Sequence, residues 1–201
     1  MIAGALRSFG NMAVSAYLPV FFQKVYPQYT SEYSILSALS LMTFGFSSVM
    51  LGGILSDKYE KKNYMTKALI CMIGALVAIP MIIFATLNQG NFYFSMALAS
   101  LTILVSGSYF APAVTMMQNA SSKENSGNVV SAYTFVTTVA QTISPIVFSY
   151  IGHIVGVVHN PKLYGPLISA FITFGYAASS VFYWKAGKNY KKVMIERDIR
   201  E

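Results

Sequence analysis

Several groups of residues in this 201-residue chain have the types and spacing to do chemistry. Arg7, Asn11 and Ser15 recur at intervals of four with Ser8 beside them, which puts a guanidinium, an amide and hydroxyls on one side of a helix. Thr102, Ser106 and Tyr109 repeat that pattern, as do Thr134, Thr137, Gln141 and Ser144. Such groups can hydrogen-bond a small polar solute, and a buried Arg7 suits an anionic group, carboxylate or phosphate. A further group is GGILSDKYEKKN, in which Gly53 stands four residues before Asp57, followed by Lys58, Lys61 and Lys62. Glycine there admits a close neighbour, and Asp57 on the same face can meet the positive N-terminus of another helix.

Bond-breaking chemistry lacks its parts. His153 and His159 are six apart, which does not place both on one helical face for a metal, and the single cysteine, Cys71, rules out a cysteine cluster. No Ser/His/Asp set or carboxylate pair lies at depth: Glu32 and Asp57 fall at the ends of apolar stretches and Glu124 in a loop. The chain is not expected to be an enzyme, and its sequence calls for no cofactor and no metal. Proton coupling through a carboxylate of this stretch is not expected either. Two readings of the polar groups stay open. A Ser or Thr that bonds its own helix serves packing only, worth about 0.6 kcal/mol per contact. Arg7 either snorkels to the membrane surface or faces a wet cavity, since an arginine in the apolar zone otherwise costs at least about 2.5 kcal/mol.

These groups sit in elements that composition dictates. The chain is 55% hydrophobic and 10% charged, too few charges to clothe a soluble surface, which excludes a soluble domain, disorder and a coiled coil. Six stretches near 2–22, 33–56, 68–87, 92–117, 128–151 and 164–184 approach the ~20 apolar residues that cross a bilayer. They predict an all-α integral membrane bundle of six transmembrane helices over 1–184, with 185–201 as a basic cytoplasmic tail. Met1 opens directly into the first stretch, which reads as a span of the mature chain. Eleven Lys and Arg (Lys58, Lys61, Lys62, Lys67, Lys123, Lys185, Lys188, Lys191, Lys192, Arg197 and Arg200) fall on one side of this topology, against Lys24 and Lys162 on the other. The positive-inside rule then puts both termini in the cytoplasm, and it accounts for the net charge of +7 without nucleic acid. The Asn119-Ala120-Ser121 sequon lies on that cytoplasmic side and is assigned no function. The third stretch, without Ser, Thr, Asn or Gln through Ala85, is the best candidate for a lipid-exposed helix, and the polar fifth the worst.

With this topology, GGILSDKYEKKN resembles the signature loop of the major facilitator superfamily, although Glu60 stands where that family often has Gly. YFAPAVTMMQN and GNVVSAYTFVTTVAQTISP are similar to its tenth and eleventh helices, and GALRSFGNMAVSAYLPVFFQKVYPQY resembles spinster-like members. The resemblance implies the C-terminal half of a twelve-helix transporter, whose N-terminal six-helix half is missing from this chain, working by alternating access on a small solute that is anionic or lipid-like. It implies that the first and fourth helices line the cavity, the second and fifth face the other half, and the third and sixth stand outside. Arg7, Asn11, Ser15, Ser106, Tyr109 and Gln141 are the expected substrate-binding residues. Phe21, Phe22, Tyr109 and Phe110 are candidate apolar walls. Gly53, Asp57, Lys58, Lys61 and Lys62 are the expected conformational switch, with Asp57 paired to a helix N-terminus of the other half. The alternatives are a complete six-helix homodimeric carrier or channel, associating through small residues such as Ser48 and Gly52, and a structural membrane protein that transports nothing.

Overall fold

The computed structural model describes residues 1–60 and 62–199; Lys61, Arg200, Glu201 and the side chain of Lys123 lie outside the described residues. The described residues form six helical rods and no strand. The first is α1 (Ile2–Val25). The second is α2 (Thr30–Ser40) continued through a π-helical turn, Leu41–Gly45, into α3 (Phe46–Glu60). The third is α4 (Thr66–Leu87). The fourth is α5 (Phe92–Ser106), a 3₁₀ turn at Gly107–Tyr109, and α6 (Phe110–Ala120). The last two are α7 (Ser126–Val155) and α8 (Tyr164–Asp198). Rods two to six are long and apolar enough to cross a membrane; α1, diluted by Arg7, Ser8, Asn11 and Ser15, falls short of that measure.

Local chemistry sets the ends of the rods. Asn91 caps α5 by accepting from the Phe94 N–H at 3.2 Å, and Asn63 starts α4 by accepting from the Met65 N–H at 3.0 Å. Gly156, at φ 78°, ends α7 in a left-handed turn that other residues rarely adopt.

The third rod, the best candidate for a lipid-exposed helix, has two unlike faces. Ala68, Cys71, Gly74, Ala75, Ala78, Ile82 and Ala85 form one buried face, mostly against α8 and α5, while Ile73, Leu76, Val77 and Phe84 form an exposed one. Small side chains let backbones approach, so α4 meets lipid on one face only. α8 packs against both α4 and α1, and Gly10 of α1 meets Gly175 backbone to backbone. Of the most apolar stretch of α8, 56% is buried inside the chain, against 17% in the second rod and 22% in α7. The hydroxyls of α7 also behave modestly. Thr134, Thr137 and Thr142 donate to Val130, Tyr133 and Thr138 carbonyls of their own helix. Ser144, by contrast, reaches across to the Phe9 carbonyl at 2.6 Å.

Phe21 and Phe22 are fully buried in the main core cluster, where Phe22 stacks on Tyr33 at 4.7 Å, so they pack rods together and do not wall a site. Ser48 and Gly52 are also used inside the chain. A Cβ on Gly52 would lie 2.1 Å from the Ser108 carbonyl oxygen, and one on Gly107 would lie 2.6 Å from Ser48 Oγ. These small residues join the second rod to the break in the fourth, and are not free to bind a second copy.

Candidate functional site

The break in the fourth rod creates the polar centre of the bundle. In the 3₁₀ turn the Phe110 N–H goes to the Gly107 carbonyl, which leaves the Ser106 carbonyl in need of another donor. Pro112 brings no N–H and so frees the Ser108 carbonyl as well. Arg7 of α1 fills the first vacancy. Its Nη2 donates to the Ser106 carbonyl at 2.7 Å and its Nη1 to the Cys71 carbonyl of α4 at 3.2 Å. The guanidinium lies between two rings, 4.6 Å from the Tyr109 centroid and 4.3 Å from that of Tyr176 on α8. Gly74 lets α4 approach this break closely, since a Cβ there would come 3.0 Å from Ser108 Oγ and from the Val105 carbonyl oxygen.

Arg7 is therefore fully buried, about 12 residues along α8 from its N-terminal start as judged by the Tyr176 contact, or roughly 18 Å. It does not snorkel. Nor does any carboxylate pair with it among the described residues. Two carbonyls and two aromatic faces, each face worth about 0.5 to 2 kcal/mol, replace a counter-ion. Its Nε has no partner among the described residues.

Three of the six expected binding residues, Arg7, Ser106 and Tyr109, meet here, Ser106 holding Arg7 through its carbonyl. Asn11 adjoins them, accepting at Oδ1 from the Tyr176 hydroxyl at 3.2 Å. Ser15 is exposed on α1 and Gln141 half-buried on α7, so the chain does not gather these two into the cluster. Sequence reasoning missed Tyr176. The signal was present: Tyr176, Tyr183 and Tyr190 recur at intervals of seven and all lie on the buried face of α8.

A second polar cluster sits at the α3–α4 loop. Lys67, in the first turn of α4, is buried, with Nζ 2.7 Å from Glu60 Oε2 and 3.4 Å from Asp57 Oδ1. Asp57 thus finds a lysine of its own chain, where the resemblance implied a helix N-terminus of another bundle. Gly53 is ordinary in its surroundings, and the close approach belongs to Gly52. Lys58 and Lys62 are exposed, each with Nζ 5.9 Å from the Tyr59 ring centroid, and Lys61 lies outside the described residues.

The segment after Trp184 is helical, the direct continuation of α8, and it closes over this loop. The Tyr190 hydroxyl donates to Glu60 Oε1 and accepts from Asn119 Nδ2 at 3.2 Å. Burial, and then the Glu60 carboxylate, raise the Tyr190 pKa, so the hydroxyl stays a donor at neutral pH. Arg197 donates to the Asn119 and Ser121 carbonyls at 2.5 and 2.9 Å, a cation at the C-terminus of α6. Tyr64 donates to Asp198 at 2.5 Å. The sequon residue Asn119 is thereby part of this closure.

Comparison with known proteins bears on this geometry. A family profile described as Major Facilitator Superfamily matches residues 1–145. Among solved structures, a bacterial homologue of the human lysosomal transporter Spinster, crystallised in an inward-facing and occupied conformation, is similar with a TM-score of 0.52 and 17% identity. The match covers 96% of this chain and 47% of that one, so the chain spans about half the length of that structure. At this identity the likeness concerns the fold alone. No curated protein matches the chain.

Proposed function

The chain belongs to the major facilitator superfamily, a family of multi-pass membrane transporters and not of enzymes, and from that premise we propose that it is the C-terminal six-helix half of a twelve-helix secondary transporter. The burial pattern supports this reading. The second rod and α7 leave their faces most open, as they would if a second bundle were to cover them. The six stretches then form one bundle over 1–184, with 185–201 as a cytoplasmic extension and both termini in the cytoplasm. Eleven cations against two support that orientation. A cysteine introduced at Lys188 should react with a membrane-impermeant thiol reagent only from the cytoplasmic side, and one at Lys162 only from the other; the reverse pattern rejects it.

The substrate site in this reading is centred on Arg7, with Asn11 and Tyr109 beside it and Ser106, Ser15 and Gln141 completing it as the halves rock. The observation that carries it is a fully buried guanidinium with no carboxylate beside it among the described residues, held at the break of a discontinuous rod. Such breaks mark binding sites in transporters, and an uncompensated positive charge selects an anionic solute. Gly53, Asp57, Lys58, Lys61 and Lys62 then act as the switch at the loop. In proteoliposomes of the complete gene product, Arg7→Ala should lower uptake of an anionic solute at least ~10-fold while a neutral one is less affected. Unchanged anion uptake would remove the binding role and leave Arg7 as a brace for the fourth rod.

A further inference from the structure

The outward face of α8 carries a pattern that neither the packing nor the transport reading uses. Phe174, Ala177, Val181, Lys185, Lys188 and Lys192 follow at intervals of three and four, all exposed, opposite the buried face of Tyr176, Tyr183, Gly187 and Tyr190. An apolar stripe thus passes into a basic one on the same face of one unbroken helix. Lys185 to Lys192 spans seven residues, roughly 10 Å, enough to cross one headgroup layer of about 5 to 7 Å. Trp184 and Phe182 stand at the transition, with Lys188 Nζ 5.0 Å from the Trp184 ring centroid and Lys185 Nζ 5.9 Å from that of Phe182. Aromatic rings at this level mark the membrane interface.

This register is not free to drift. Tyr190 is held by Glu60 and Asn119, Arg197 by the end of α6, and a Cβ on Gly187 would lie 2.5 Å from the Ala68 Cβ. The lysines are therefore presented at fixed positions, unlike those of a flexible tail. We propose that Lys185, Lys188 and Lys192 form a docking site for anionic phospholipid, the phosphate held by the lysines and the acyl chain lying along Val181 and Phe174. Phe174 forms one wall of a shallow apolar cleft of about 340 Å³, shared with Leu6 and Phe9 of α1 and Val139 and Ile143 of α7. It lies 11 residues from Lys185, roughly 16 Å along the helix, about half the thickness of the hydrocarbon layer. That continuity selects a lipid over a free phosphate ion.

The full chain is reconstituted in nanodiscs of mixed phosphatidylcholine and phosphatidylglycerol, and spin-labelled lipids report which headgroup is retained at the protein surface. Wild type should prefer phosphatidylglycerol by about tenfold, each lysine near an anionic surface supplying up to roughly fivefold before screening. Lys185→Gln/Lys188→Gln/Lys192→Gln should lose most of that preference, with helix content by circular dichroism unchanged. Lys58→Gln/Lys62→Gln, which removes as exposed a pair of charges from the neighbouring loop, should keep it. If the triple variant does not fold, Lys188→Glu and a salt titration of the wild type take its place, and both should lower the preference. Absence of any preference in the wild type, or equal loss in the Lys58/Lys62 variant, overturns the site.

Discussion

Arg7 and Lys67 are both buried to within 1% of complete exclusion, yet the chain neutralises them by opposite means. Lys67 has two carboxylates, Glu60 and Asp57, at the edge of the bundle. Arg7 has none among the described residues, and is held by two backbone carbonyls and two aromatic faces at mid-depth. The difference follows from where each lies. At the edge, Asp57 keeps 64% of its side chain in contact with solvent, so ionised carboxylates are affordable there. At mid-depth a buried carboxylate would bring its own desolvation cost, whereas a carbonyl released by a 3₁₀ turn already needs a donor. A planar guanidinium suits that place because it can donate to two carbonyls in its plane while rings cover its faces.

The largest test of this contrast is Arg7→Ala. It strands the Ser106 carbonyl, leaves a cavity between two rings, and should destabilise the protein by about 3 kcal/mol. Thermal unfolding in detergent measures it. Arg7→Lys should recover less than half, since one ammonium on a narrow stem cannot bridge Cys71 and Ser106 and stack between two rings. Full recovery would mean that charge alone matters at this position.

Lys67→Met should cost less, about 2 kcal/mol, because water can re-solvate Asp57 and only Glu60 is left poorly compensated. Here the two regions separate most clearly. Adding Glu60→Gln to Lys67→Met should restore part of the loss, roughly 1 kcal/mol of coupling, since it removes the stranded charge. No single substitution should rescue Arg7→Ala in that way, because its partners are main-chain atoms. Strict additivity at Lys67 and Glu60 would show that their 2.7 Å contact contributes nothing.

How far these regions were legible in the sequence also differs. The six rods and the all-α class followed from run lengths and composition, which act locally. Arg7, Ser106 and Tyr109 came together as spacing suggested, since a helix fixes the face on which each lies. The partners of Arg7 did not, because Cys71 and Ser106 act through carbonyls that every residue possesses, and side-chain types give no sign of which carbonyl is free. At the loop, Asp57 and Gly53 were singled out for their types. The structure instead uses Gly52 for close approach to the fourth rod and Lys67 of the third for pairing, shifts that depend on how the second rod meets its neighbours. The buried face of α4 was not legible in its apolar run, because that face is built mostly of Ala, Gly and Cys, residues a hydropathy reading counts as apolar without asking what their smallness permits.

The smallest effect lies in the closure of α8 over the loop, and its sign depends on pH. Tyr190→Phe removes the hydroxyl that donates to Glu60, a charge-assisted bond in a largely buried place, and should cost about 1 kcal/mol at neutral pH. In the unfolded chain a tyrosine loses its proton near pH 10, while in the folded protein the Tyr190 pKa is raised by burial and then by Glu60. Between those values the folded state binds more protons than the unfolded one, so stability falls as pH rises. The advantage of the wild type over Tyr190→Phe should therefore be fully present below about pH 10 and shrink above it, read as the difference between two unfolding curves at each pH. Because the Phe variant shares every other titrating group, a difference that stayed constant across that range would show that Glu60 and Tyr190 are adjacent without being coupled.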